Sequence, residues 1–280
     1  MNKDALLIIT EKYPDLTGLE KKIADAIIQE PSVIFSMNIN ALASKVGTST
    51  ATVSRFASHI GFDNYKQMQL SLAKHLNGQD DYILNVNKSN DLSTLLETVK
   101  NAETDAIKLT YELNDISDIT SIGKIISKAD KIMFFGVSTS FVVGTDASLK
   151  FRRLKKTAIA FDNVHDAAIM LSCFNENDVV IGISHSGKTA ETVKILQLAK
   201  DRNIKTIAIT TFPSSKIVDH ADKVLYTMTK EMPEHRISFS SRISQLFMLD
   251  SLFLSCLYED TEKNITQIEK AVKNIEDAKY

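Results

Sequence analysis

Only two cysteines, Cys173 and Cys256, stand in this 280-residue chain, far apart in sequence. A metal site would want more Cys or His at close spacing. Each lies in an apolar helical stretch, so both are expected to be reduced core cysteines of a cytosolic protein. Excess charge of one sign is missing too: the net charge is −2. No global field therefore draws the chain to nucleic acid or to an anionic membrane, and any DNA binding must come from a local surface. No run approaches the ~18 apolar residues that a membrane span requires. The start, MNKDALLIIT, lacks the basic segment, long apolar core and cleavage site of a signal peptide. A cytoplasmic protein that meets no membrane is expected. With 44% hydrophobic and 24% charged residues, the composition is that of a globular chain and excludes disorder throughout.

The first third reads as helix. In LTGLEKKIADAIIQEP, Leu19, Ile23, Ala26 and Ile27 share one face, Thr17 and Glu20 form a capping box, and Pro31 marks the end. In NINALASKVGTSTATVSRFASHIGF, Asn38 or Asn40 can cap a helix bearing Ile39, Leu42, Ala43 and Val46, and Gly47 suits its left-handed end. A second helix starting at Thr48 or Ser49 turns Val53, Phe56 and Ile60 inward, and Gly61 closes it. Two short helices about a glycine turn, the second rich in small polar residues, make a helix-turn-helix pattern. NYKQMQLSLAKHL adds one more amphipathic helix. The polar stretch NGQDDYILNVNKSN reads as a linker, and residues 91 to 114 as helix again.

Beyond that helix the period changes. KIMFFGV (131–137), TAIAFD (157–162), DVVIGIS (178–184), KTIAIT (205–210) and KVLYTM (223–228) are β-rich runs separated by helical stretches. Apolar runs without strict alternation suit parallel strands buried on both faces, and the alternation with helices predicts a doubly wound α/β sheet. The tail NITQIEKAVKNIEDAKY has Ile265, Ile268, Val272 and Ile275 at helical spacing, to pack on the protein or on a partner chain.

Two strand ends carry dense hydroxyls and lead into helices: Gly136-Val137-Ser138-Thr139-Ser140 and Ser184-His185-Ser186-Gly187-Lys188-Thr189. A helix N-terminus offers N–H donors and partial positive charge to an anion, and Gly187 lets the backbone come close. Ser and Thr are also the commonest N-caps, so one such turn means little; two in one sheet point to a phosphate with part of a polar sugar. Residues 182–189, GISHSGKT, also fit the string of a nucleotide phosphate loop. Against that, Gly182 sits inside the apolar run VVIGI, and the later strands KTIAIT and KVLYTM end in Thr and Met, not in an acid for Mg²⁺. ATP with Mg²⁺ is not expected to bind.

FGVSTS, DNVH, DVVIGISHSGKTAET, KTIAIT with SSKIVDHADKVLYT, and SSRISQLFMLDSLF resemble a SIS (sugar isomerase) domain. The N-terminal segment from LTGLEKK to NYKQMQ resembles the helix-turn-helix of RpiR-family transcriptional regulators, and the two halves stand in that family's order. The resemblance implies a two-domain α/β protein: an all-α helix-turn-helix domain followed by a doubly wound, flavodoxin-like parallel sheet. It divides the chain into a DNA-binding domain (1–77), a linker and connecting helix (78–115), a phosphosugar-binding SIS domain (116–262) and a helical tail (263–280). It implies a phosphosugar ligand at Ser138, Ser140, Ser184, Ser186 and Thr189, with Thr139 and Lys188 adjacent and Glu231 and Arg236 on a second segment. His165 matches a histidine that isomerase relatives use on substrate, or it anchors the helix it starts. Glu231 is either a ligand contact or a solvated loop acid. His220 reads as a helix-end surface residue, and His185 points away from its serine neighbours.

On the second helix of the N-terminal pair, Ser49, Thr50, Thr52, Ser54 and Arg55 are left for DNA once Val53 and Phe56 face the core. Lys66, with Asn64 and Tyr65, is placed to meet the DNA backbone. Residues 1–76 hold 8 basic and 7 acidic side chains, so phosphate neutralisation per subunit is modest. A homodimer or tetramer reading two half-sites of a double-stranded operator would compensate. The expected function is a transcriptional regulator whose operator affinity follows a bound phosphosugar, with no catalytic residue, metal or cofactor. The alternatives are an aldose–ketose phosphate isomerase, which needs a base such as Glu231 or His165, and a scaffold whose hydroxyl-rich turns are only caps.

Overall fold

The computed structural model describes residues 5–30, 34, 37–77, 91–211, 215–228 and 240–278. The expected linker, the Pro31 helix stop, and Glu231 with Arg236 lie outside the described residues. The chain forms two units, Met1–Thr98 and Val99–Tyr280, each with its own core.

The first unit holds α1 (Ala5–Lys12), α2 (Gly18–Gln29), α3 (Ile39–Val46), α4 (Thr50–His59) and α5 (Tyr65–Asn77). Local chemistry sets each start. The Glu20 carboxylate accepts the Thr17 N–H at 2.9 Å and the Thr17 hydroxyl at 2.8 Å. Asn38 accepts the Ala41 N–H at 2.8 Å, and Ser49 accepts that of Thr52 at 3.2 Å. Gly47, at φ 67°, makes the left-handed turn between α3 and α4. Ile23, Ile27, Leu42, Val53, Phe56, Ile60 and Met68 form the buried centre. Leu19 does not join them: it is 49% exposed, because the buried face of α2 runs through Ile23, Ala24 and Ile27.

The second unit begins within α6 (Leu92–Leu113), followed by α7 (Ile116–Lys128), β1 (Lys131–Gly136), α8 (Thr139–Arg152), β2 (Thr157–Phe161), α9 (Val164–Met170), β3 (Val179–Ile183), α10 (Ala190–Lys200), β4 (Lys205–Thr210), β5 (Lys223–Tyr226), α11 (Ser240–Glu259) and α12 (Thr261–Asp277). All five strand runs read from the sequence are strands. They pair in parallel in the order β2-β1-β3-β4-β5. Successive side chains on a strand face opposite ways. Ile132 and Phe134 therefore meet α7, α8 and α11, while Met133 and Phe135 meet α9 and α10.

The cysteines divide. Cys256 on α11 is buried, its Sγ 3.4 Å from the Gly123 carbonyl, and burial pushes its thiol up to about 12. Cys173 is exposed, contrary to the core position expected, because Leu171–Cys173 is a short 3-10 turn of which only Leu171 is buried. On α12, Ile268 packs against the core, while Ile265, Val272 and Ile275 are 43–52% exposed.

Candidate functional site

Where a parallel sheet reverses its winding, the chain leaves neighbouring strand ends in opposite directions and opens a crevice for ligands. In the order 2-1-3-4-5 that point lies between β1 and β3. Gly136 pairs with Ile183, so the two strands end level and the tips that follow are neighbours. Both hydroxyl-rich segments found in the sequence are these tips.

The β1 tip turns sharply. Ser138 sits at φ 58°, ψ −123°, a backbone region that costs a residue with a side chain about 1–3 kcal/mol. It caps α8, and its side chain and that of Thr139 are exposed. Ser140 is buried instead, its Oγ 3.4 Å from both amide atoms of Gln245 on α11.

The β3 tip is a compact loop. Ser184 is buried, and its Oγ accepts the Gly187 N–H at 3.1 Å and lies 3.0 Å from the Thr189 hydroxyl. Thr189 is the N-cap of α10. Ser186 is half-buried and accepts the Lys188 N–H at 3.2 Å, while Lys188 is exposed. Gly187, at φ 61°, has no room for a side chain, since a Cβ there would lie 2.0 Å from the Ser215 Oγ. The loop therefore presents hydroxyls and the start of α10, with the exposed Lys188 beside them. That combination suits an anion with polar substituents.

Gly182 is paired in the ladder between Phe135 and Ala208. The turn therefore begins only after Ile183, and the loop that a nucleotide phosphate site starts at its first glycine is not formed. The string match at 182–189 is thus a coincidence of letters.

Sequence reasoning missed the polar line beside this loop. His185 Nδ1 lies 2.9 Å from the Thr211 Oγ1, which lies 3.1 Å from the Thr227 Oγ1. The His185 carbonyl accepts the Thr211 N–H at 3.1 Å. The threonines closing KTIAITT and KVLYT carried the signal. His165 starts α9 beyond the β2 tip, with an exposed side chain and its N–H held by Asn163 at 2.8 Å.

In the first unit, α4 presents Thr50, Ser54 and Arg55 to solvent, as the buried Val53 and Phe56 require. The Ser49 and Thr52 hydroxyls are 2.9 Å apart at the helix cap. His59, in the last turn, is 2.7 Å from Glu20 of α2. Lys66 is half-buried. Tyr65 is not on the surface, as expected for a backbone contact, but in the core; its hydroxyl donates to the Met37 carbonyl at 2.9 Å, and burial holds its pKa above the usual range. Asn64 accepts the Gln67 N–H at 2.9 Å.

A helix-turn-helix unit and a flavodoxin-order sheet with paired hydroxyl-rich tips define a class of two-part, DNA-binding sensor. A model of the helix-turn-helix domain of the rpiR family matches residues 3–79, and a model of the SIS domain matches residues 125–255. An HTH-type transcriptional regulator of Haemophilus influenzae is 31% identical over 268 residues, covering 94% of this chain and 93% of its own. One from Thermotoga maritima is 30% identical and covers 99% of this chain and 100% of its own. In structure, the NanR protein of Vibrio vulnificus, solved with ManNAc-6P, aligns at a TM-score of 0.63 and 23% identity over 98% of this chain and 99% of its own. The chain belongs to the rpiR family of HTH-type transcriptional regulators. Among the described residues, no helix is long and apolar enough to cross a membrane.

Proposed function

We propose that the protein binds a double-stranded operator through α4 and that a phosphosugar held at the β1 and β3 tips sets its affinity. The observation that carries this reading is the level pairing of two serine-rich, helix-leading tips at the winding reversal of the sheet. The phosphate falls to Ser138, Ser186, the start of α10 and Lys188, with Ser184, Thr189 and Ser140 shaping the pocket behind them. Glu231 is assigned to the sugar on the family resemblance. The NanR relative, bound to ManNAc-6P, supports a phosphosugar as the ligand class. On the DNA, Thr50, Ser54 and Arg55 face outward, Ser49 and Thr52 set the helix start, and Lys66 meets the backbone. The working form is a homodimer. Leu254 and Tyr258 on α11, with Ile265, Val272 and Ile275 on α12, are apolar side chains at 43–79% exposure, and a second copy would cover them. Residues 1–77 read DNA, 78–115 join, 116–262 sense, and 263–280 form the tail.

The test pairs a thermal-shift screen of hexose and N-acetylhexosamine 6-phosphates with mobility-shift assays on DNA flanking the protein's own gene. One compound is expected to raise Tm and change DNA affinity. Ser186→Ala should lose the thermal shift and keep DNA binding. Turnover of a sugar phosphate without DNA binding would overturn the reading.

A further inference from the structure

Helix α6 is fastened to the sheet by an uncommon clasp. Asn114, next after its last residue, uses both ends of its side-chain amide on one residue of β5. Its Oδ1 accepts the Tyr226 N–H at 2.9 Å, and its Nδ2 donates to the Tyr226 carbonyl at 2.6 Å. One turn back, the Thr110 Oγ1 accepts the Met228 N–H at 2.9 Å. The side chain of Asn114 thus stands in for a neighbouring strand on the open edge of β5, and Thr110 extends the ladder by one rung. Thr227 lies between the two clasped residues, and its side chain reaches the other way, to Thr211 and so to His185 in the β3 tip. Thr110, Asn114, Thr211 and Thr227 are all buried.

We infer that this line is the mechanical joint through which the β3 tip sets the position of α6, the helix that in sequence joins the sensing unit to the chain of the DNA-reading unit. A buried hydroxyl or amide that loses its partner keeps the cost of desolvation without compensation. A movement of His185 that keeps its Thr211 bond therefore carries Thr211 and, through it, Thr227 along. Thr227 cannot shift alone, because α6 holds the peptide on each side of it. The joint rests on the proposed phosphosugar reading for its biological use, but its mechanical content does not depend on any ligand.

The test is hydrogen exchange by mass spectrometry on the full chain. Thr211→Val removes the central hydroxyl at nearly constant volume. Exchange in peptides covering 106–114 is expected to rise several-fold, while peptides of β1 keep their protection. Thr211→Ser, which retains the hydroxyl, should restore the wild-type pattern. Exchange that rises only in peptides next to position 211, with 106–114 unchanged, would overturn the joint. So would a Thr211→Ser variant as loose as Thr211→Val, since the effect would then come from the lost methyl. A second arm adds fructose 6-phosphate, glucosamine 6-phosphate or ManNAc-6P. A compound that shifts Tm should protect 106–114 in the wild type and not in Thr211→Val; protection equal in both overturns the joint. If none shifts Tm, the phosphosugar reading falls, and the ligand-free arm still decides the joint.

Discussion

The Ser184 hydroxyl lies 3.0 Å from that of Thr189, five residues on across the β3 tip. The same oxygen accepts the Gly187 N–H at 3.1 Å. Ser184 therefore closes the loop from within, and under the proposed function its outward neighbours meet the ligand. Family resemblance places both serines at the phosphate; the geometry gives them different work. Ser184 is buried at 3% exposure, whereas Ser186 is half-buried beside the exposed Lys188.

Ser184→Ala and Ser186→Ala should thus fail differently. The first removes the hydroxyl bonded to Thr189 and to the Gly187 N–H, which keeps the Ser184 carbonyl at 3.1 Å, so a loss of about 0.5–1.5 kcal/mol of stability is expected together with ligand response. The second should keep the wild-type Tm and lose only the ligand response. Urea unfolding and thermal shift with sugar phosphates, run on both variants, check this. Equal stability in the two would contradict the loop-closing role of Ser184.

Ser138 holds a positive φ without being glycine. Ser138→Gly should relieve that strain and raise stability by about 1 kcal/mol, at the expense of a hydroxyl that the proposed function assigns to the anion. A variant that is more stable and binds sugar phosphate more weakly is expected from denaturation and calorimetry. A less stable variant would show that the Ser138 side chain holds the turn.

How far the sequence was legible follows from which forces are local. Capping, helical period and strand runs are written in short windows, so Thr17, Asn38, Gly47 and all five strands were readable. Leu19 and Tyr65 were misplaced because the direction of a face depends on which helices pack nearby, and that is not local. Cys173 was misread for a related reason: a 3-10 turn breaks the helical period that would have carried it inward. The hydroxyl-rich tips were visible as strings, but the split between loop-closing Ser184 and outward Ser186 needed coordinates. The Asn114–Tyr226 and Thr211–Thr227 bonds join residues 112 and 16 positions apart, which no window spans.

On the DNA side, Arg55 and Phe56 are neighbours with opposite fates, one exposed and one fully buried. Arg55→Ala should weaken operator binding by about 1–3 kcal/mol with Tm unchanged. Phe56→Ala should destabilise the helical unit by about 3–5 kcal/mol through lost packing and a cavity. Anisotropy titration and thermal unfolding separate the two. Undiminished DNA binding by Arg55→Ala would remove α4 from the interface.

The two thiols should react unequally. Under native conditions a maleimide is expected to label Cys173 and spare Cys256, whose thiol is buried and pushed up to about 12 by desolvation. Intact-mass analysis should show one adduct before denaturation and two after it. Native labelling of Cys256 would mean that α11 opens from α7 far more readily than its buried packing implies.

Acid should loosen the cap of α2. The Glu20 carboxylate accepts the Thr17 N–H and hydroxyl and pairs with His59 at 2.7 Å. These bonds, the Thr17 N–H first among them, hold its pKa below the ordinary 4.5. A depressed carboxylate pKa favours the folded state above the unfolded value, and the benefit is lost as pH falls through the folded value. The cap is worth about 1 kcal/mol near neutral pH, less at high salt because the pair is near the surface. Glu20→Gln keeps an acceptor and loses the charge. The stability gap between wild type and Glu20→Gln should be full near pH 6 to 7 and close as the pH falls past the ordinary 4.5 and on through the lowered folded value. A gap constant across that range would show that the charge on Glu20 contributes nothing and that shape alone makes the cap.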